Sequence, residues 1–178
     1  MATTLDGLAA GTYTIDPAHT EVGFVVRHLM VSKVKGRFGD VTGTITVAEN
    51  PLEATAKVDS VDTRDAARDG HLKSPDFFDA AQFPEMTFRS TGIREKGSDF
   101  ELVGELTLHG VTKPVTFELE YNGASVNPMS QAHTVGFSAE TEINRKDFGL
   151  EWNVALETGG VMVADKVKIV LEVEASKA

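Results

Sequence analysis

Apolar and polar residues alternate one for one along most of this chain, the period-two pattern of half-buried antiparallel strands. Thr12 to Asp16 reads as a short first strand stopped by Pro17. From Thr20, Val22, Phe24, Val26 and His28 share one face, with Glu21, Gly23, Val25 and Arg27 on the other. Val41, Gly43, Ile45 and Val47 alternate before an Asn50-Pro51 turn, and Ala54, Ala56, Val58 and Ser60 follow as one strand. Later runs place Met86 and Phe88 inward, then Phe100, Leu102, Gly104, Leu106 and Leu108, then Val115, Phe117, Leu119 and Tyr121. Lys96 to Asp99, His109-Gly110 and Asn122-Gly123 break these runs as turns. Val135, Phe137, Ala139, Thr141 and Ile143 form the next inward face, and Val167, Ile169, Leu171 and Val173 the last. Asn144 to Asp165 lacks a period and holds Trp152.

The alternation stops once. Asp62 to Lys73 has a helical period with Ala66, Ala67 and Leu72 apolar, and Asp62 or Thr63 as the expected cap. The stretch His71 to Pro84 follows. Ser74-Pro75 there predicts an N-cap and first helical position, with Phe77 and Phe78 inside one short turn between Asp76 and Asp79. Two large rings on so few residues cannot bury themselves, so they are expected to cap something apolar.

About eight amphipathic strands with short connections must hide an apolar face and their edges. The predicted fold is therefore all-β, an antiparallel barrel of about eight strands with a short helical insertion near residues 62–79. A sandwich fits the same alternation. The 178 residues are expected to form one domain.

Such a barrel is filled by its own side chains or holds a small ligand. The inward set includes Gly43, Ala54, Ala56, Ser60, Ser90, Gly92, Gly104 and Ala139. Small residues at so many inward places leave volume that a guest could take, because each buried Val, Leu, Ile or Phe otherwise contributes roughly 1.5–3 kcal/mol. The same residues also suit interdigitation with bulky partners in a filled core. A lipid arriving from a bilayer gains little from burial alone, so shape and a few polar contacts at the mouth must decide what binds.

Composition narrows the function classes. A net charge of −10 disfavours phosphate backbones and anionic headgroups, so nucleic-acid binding, stable docking on acidic bilayers and stable membrane insertion are not expected. No run approaches the roughly 18 apolar residues of a membrane helix. Zero cysteines exclude disulfides and thiolate chemistry. The start MATTLDGLAAGTYTID lacks a secretory pattern, which gives a cytoplasmic expectation, or a periplasmic or secreted one if a leader was removed.

His19, His28, His71, His109 and His133 form no HExxH or close pair, so no metal site or cofactor is expected. His28 sits on an apolar face, either as a core histidine or as a donor to a ligand headgroup. Gly136-Phe137-Ser138-Ala139 lacks the second glycine of a nucleophile elbow. Asn144-Arg145-Lys146-Asp147 reads as a turn with an Arg145–Asp147 ion pair, or as an anchor for a polar head at the rim. Leu150, Trp152, Val154 and Met162 look like a flap.

Four blocks carry a resemblance. They are Tyr13-Thr14-Ile15-Asp16-Pro17-Ala18-His19-Thr20 with Val22, Phe24 and His28; His71-Leu72-Lys73-Ser74 with Asp76-Phe77-Phe78-Asp79; Gly104 to Val115 (GELTLHGVTKPV); and Ile143-Asn144-Arg145 with Asp147-Phe148-Gly149. Spanning nearly the whole chain in order, they resemble the YceI-like family. The resemblance implies a lipocalin-like barrel, an apolar lumen holding a polyisoprenoid or isoprenoid-quinone-like amphiphile, often a homodimer, and no catalytic mechanism.

The expected function is a non-enzymatic carrier or storage protein for a long-chain isoprenoid. The tail would lie along Phe24, Val26, Ile45, Val58, Phe88, Leu106, Phe117 and Phe137. Phe77 and Phe78 would close one end, Trp152 would be a further ligand contact, and His28, Arg145 and Asp147 would be the polar contacts. One rival is an enzyme acting on an isoprenoid or polyketide-like substrate in the same lumen, with His28 or Asp147 as acid or base. Another is a stress-related protein-interaction module with a filled barrel.

Overall fold

The protein's structure, a computed structural model, describes residues 8–47, 52–154, 156 and 160–177. Its strands are β1 (Gly11–Ile15), β2 (Glu21–His28), β3 (Ser32–Phe38), β4 (Val41–Val47), β5 (Leu52–Lys57), β6 (Val61–Asp62), β7 (Glu85–Lys96), β8 (Asp99–Leu108), β9 (Val111–Val126), β10 (His133–Asn144) and β11 (Val163–Lys177). One helix, α1 (Ala66–Lys73), lies between β6 and β7. The order β1-β4-β5-β7-β8-β9-β10-β11 closes on itself because β11 also pairs with β1, Ile15 opposite Ala175. That ring is an eight-stranded antiparallel barrel.

β11 makes the closure possible by its length. At 15 residues it runs about 50 Å. Its last residues pair with β1, and its earlier part pairs with β2 from Val163–His28 to Glu172–Glu21. The β2–β3 hairpin and β6 therefore extend the wall beyond the ring at one end. Inward residues of β8, β9 and β10 form the core with Tyr13, Ile15 and Phe148, and Phe88 meets Phe117 edge to face at 5.1 Å. Tyr13 is in that core, 1% exposed, with its hydroxyl donating to the Ala9 carbonyl.

Several sequence expectations need correction. The helix starts at Ala66, capped by Asp65, whose carboxylate accepts from the Arg68 amide. Asp62 belongs to β6 instead, and Thr63 is buried, donating from Oγ1 to Asp69 at 2.6 Å. Ser74 closes this helix rather than opening another: its Oγ donates to the His71 carbonyl at 2.6 Å. Phe77 and Phe78 lie in a turn, tied by the Phe77 and Asp79 amides to the Ser74 carbonyl. Val58–Ser60 is a 3-10 turn, not a continuation of β5.

Asn122-Gly123 does not turn the chain. β9 runs straight through it, with a register shift opposite at Gly136/Phe137, and the connection comes at 127–132. A bulge absorbs the flexible pair, and Asn122 donates to Ser138 Oγ across the strands. His109-Gly110 is a two-residue hairpin loop with both φ positive, as a type I′ turn requires. The expected Asn50-Pro51 turn lies outside the described residues. β3 is an added strand whose alternation (Val34, Gly36, Phe38 against Lys33, Lys35, Arg37) is plain once seen. What hid it is its turn: Leu29 and Met30 take positive φ without glycine or asparagine to signal it.

Candidate functional site

The barrel is not filled. A cavity of about 590 Å³ runs inside it, within the roughly 300–1,000 Å³ usual for ligand sites. Phe24, Val26 and His28 from β2, Ile45 from β4, Phe88 from β7, Leu106 from β8, Phe117 from β9 and Phe137 from β10 line it. Each comes from the inward set of its strand, so alternation alone put it there. Val34 and Leu72, assigned to no wall from sequence, line it too, as does exposed Arg27, which shows that the cavity reaches solvent.

Small inward residues account for only part of the space. Ala54, Ala56, Ser90, Gly92 and Ala139 line the cavity. Gly43 and Gly104 do not: a methyl group at Gly104 would overlap the Arg89 carbonyl and the Phe88 ring, and one at Gly43 the Glu53 carbonyl. Those two are interdigitation sites. Around Gly92, by contrast, a methyl group meets nothing within 4 Å.

Aromatic rings gather at the end where β11 begins. His71, Phe77 and Trp152 form a triangle with centroid separations of 5.0, 4.8 and 5.2 Å. His71 is oriented by Asp76, whose carboxylate lies 2.9 Å from Nε2. Phe78 turns the other way and packs edge to face on Phe38 at 5.7 Å. All four of His71, Phe77, Phe78 and Trp152 line the cavity. The two adjacent phenylalanines thus cover it from two directions.

Arg145 also lines the cavity, but its donors are engaged. The residue is 3% exposed. Nε donates to Ala164 O, Nη1 to Leu150 O and Trp152 O, and Nη2 to Val163 O. Its acidic neighbour is Asp165 at 3.8 Å, not Asp147 as the sequence suggested. Burial pushes the guanidinium below its ordinary range, and Asp165 opposes that. Arg145 therefore clamps the backbone of 150–152 to the start of β11. Asn153 adds to this, accepting from and donating to the Val163 backbone.

Two expected contacts fall elsewhere. Val58 is buried but does not line the cavity, because the 3-10 turn carries it out of β5's alternation. Asp147 is exposed on the 3-10 turn Arg145–Phe148 and is likewise off the lining. Among the described residues no carboxylate lines the cavity; its charged or titratable groups are Arg27, Arg68, Arg145, His28 and His71. Arg68 is spent on Thr63, through Nε to Oγ1 and Nη2 to the carbonyl. His109 serves the loops, its Nδ1–H donating to the Phe148 carbonyl at 3.0 Å.

Away from the lumen, Asp16, His19 and Glu174 bring three potential ligand atoms within 4.8 Å of one another. His19 Nδ1 is already 2.8 Å from Asp16 Oδ2, so the group is held together by its own hydrogen bond.

Known proteins share this architecture. A UPF0312 protein of Staphylococcus aureus is 41% identical over 174 residues, covering 92% of this chain and 96% of that one. A Campylobacter jejuni YCEI protein superposes with a TM-score of 0.71 at 30% identity, over 100% of this chain and 99% of that chain. A polyisoprenoid binding domain from Saccharophagus degradans, implicated in plant cell wall breakdown, has the same fold: TM-score 0.70 at 16% identity, over 93% of this chain and 98% of its own. The YceI-like domain model matches residues 13–175. With barrel, lumen and sequence blocks in agreement, the chain belongs to the YceI-like family.

Proposed function

We propose that the protein holds one long-chain isoprenoid amphiphile in its lumen, as a carrier or store that leaves the ligand chemically unchanged. The observation that carries this reading is the cavity itself: about 590 Å³, walled by phenylalanine and aliphatic side chains. An interior of that size left partly vacant sacrifices packing that a guest would restore. The polyisoprenoid-binding neighbour of like fold supports the ligand class. The tail would lie along Phe24, Phe88, Phe117 and Phe137, with His28 and Arg27 nearest a polar head. Arg145 would act through Trp152 rather than on the ligand.

The enzyme reading is less supported. General acid–base work on an apolar substrate needs a proton donor or acceptor aimed into the lumen. Asp147 is outside it, and His28 has no carboxylate beside it among the described lining residues. Gentle purification, organic extraction and mass spectrometry test the proposal. A stoichiometric isoprenoid is the expected result; heterogeneous, sub-stoichiometric lipid would count against it. Turnover of an isoprenoid abolished by His28→Ala, in a folded protein, would replace it with the enzyme.

A further inference from the structure

The tip of the β2–β3 hairpin presents apolar side chains to solvent beside the lumen. Leu29, Met30 and Val31 are 39, 51 and 82% exposed. Leu29 and Met30 hold left-handed backbone that glycine or asparagine would adopt more readily. The tip is nonetheless anchored: the Leu29 amide donates to the Met162 carbonyl, and the Met30 side chain lies over Gly160. Met162 lines the cavity, as does His28 at the root of the tip. Three apolar side chains are thus presented to solvent at the cavity's edge.

The charge of the hairpin that carries them opposes that of the whole chain. From Val22 to Gly39 there are Arg27, Lys33, Lys35 and Arg37 and no carboxylate, in a protein of net charge −10. Arg37 pairs with Asp62, while no ion pair among the described residues uses Arg27, Lys33 or Lys35. Arg27 and Lys33 are direct cross-strand partners. Like charges facing each other destabilise a strand pair unless an anion lies between or above them. Net charge argued against anionic bilayers, but its distribution leaves one basic hairpin with an apolar tip.

We propose that this hairpin is a docking finger for an anionic lipid bilayer. Leu29, Met30 and Val31 enter the headgroup–acyl boundary, and Arg27, Lys33 and Lys35 meet anionic headgroups, which seats the lumen on the membrane that supplies its guest. The docking rests on the carrier reading for its purpose but not for its physics. Lysines on an edge strand also block strand-to-strand association, and β3 is paired by β6 only at Arg37 and Phe38.

Flotation with isoprenoid-free vesicles tests it, using phosphatidylcholine alone against an equimolar mixture with phosphatidylglycerol. The protein is expected to float with the anionic vesicles at low salt, far less with the neutral ones, and to be released as salt rises. Lys33→Gln with Lys35→Gln should lower partitioning about thirty-fold, and Met30→Ser with Val31→Ser should lower it at least tenfold. These side chains are exposed, so the variants are expected to fold, which circular dichroism checks, while gel filtration reads their association state. No flotation of the parent protein, or unchanged flotation of both double variants, overturns the proposal. Lysine variants that self-associate yet float as before show edge protection instead, and also overturn it. The shift of Trp152 emission on adding a detergent-dispersed isoprenoid alcohol reads the lumen separately, since Trp152 lines it. A protein that floats but takes no isoprenoid loses the carrier reading alone, and one that takes isoprenoid but never floats loses the docking finger alone.

Discussion

The Arg145 guanidinium donates to the backbone carbonyl of Trp152 at 2.9 Å, and with it to the carbonyls of Leu150, Val163 and Ala164. A charged fork buried inside the wall holds an otherwise irregular segment where its indole can close the lumen. Lysine has neither the number of donors nor the planar spread to replace it.

Arg145→Met is therefore expected to destabilise the protein by about 3 kcal/mol, since it strands several carbonyls that arginine now satisfies. Arg145→Lys should recover only a minor part. Urea unfolding measures the loss. Trp152 is the single tryptophan, so its native-state emission should shift red as segment 150–152 loosens. A methionine variant with unaltered midpoint and emission would show that the clamp does not matter.

Phe77 packs on both His71 and Trp152 and is nearly buried. Phe77→Ala should cost about 2–4 kcal/mol, less than the largest core deletions because the cavity behind it is already partly open. Isoprenoid release should quicken with it. Stopped-flow transfer to acceptor vesicles reads that rate, and Phe77→Leu is expected to restore most of the stability but not the slow release.

Gly92 and Gly104 look alike in sequence and should respond oppositely. Gly92→Leu extends into open space, so stability should change by under about 1 kcal/mol while isoprenoid capacity falls. Gly104→Ala meets backbone and the Phe88 ring, so it should lose about 1–3 kcal/mol and affect capacity only through stability. Thermal denaturation paired with extracted-lipid quantification separates the two. Equal capacities in both variants would place the guest elsewhere.

His19 is pulled above the ordinary histidine value, first by its hydrogen bond to Asp16 and then by Glu174 and the Asp16 charge, while Asp16 is held below the usual carboxylate range by the same bond. Because the folded value is the higher one, the His19 contribution is complete below about pH 6.5 and disappears as pH rises through the folded value, while that of Asp16 is lost at the acid end as its carboxylate is protonated. Asp16→Asn should bring the His19 midpoint down. Proton NMR titration of the imidazole resonances checks it. A His19 midpoint that Asp16→Asn leaves where it was would refute the pairing.

Alternation along the strands was enough to determine an all-β antiparallel sheet and most of its inward face, because a two-residue period is a local property that burial on one side imposes. Phe24, Phe88, Phe117 and Phe137 needed no tertiary information, and Phe77 and Phe78 announced themselves as a cap by having nowhere local to hide. Four things were settled only by the folded chain. Whether small residues mean space depends on what stands opposite: Phe88 fills the place beside Gly104, and nothing fills the one beside Gly92. Arg145's partners come from residues five to twenty positions away, brought together by a loop with no period to read, so Asp147 looked like its mate and Asp165 is. Leu29 and Met30 turn the β2–β3 hairpin against their own backbone preference, which propensity cannot foresee. And the vacancy at the centre is a small difference between two large volumes, the ring of eight strands and the side chains within it, which no single stretch of sequence contains.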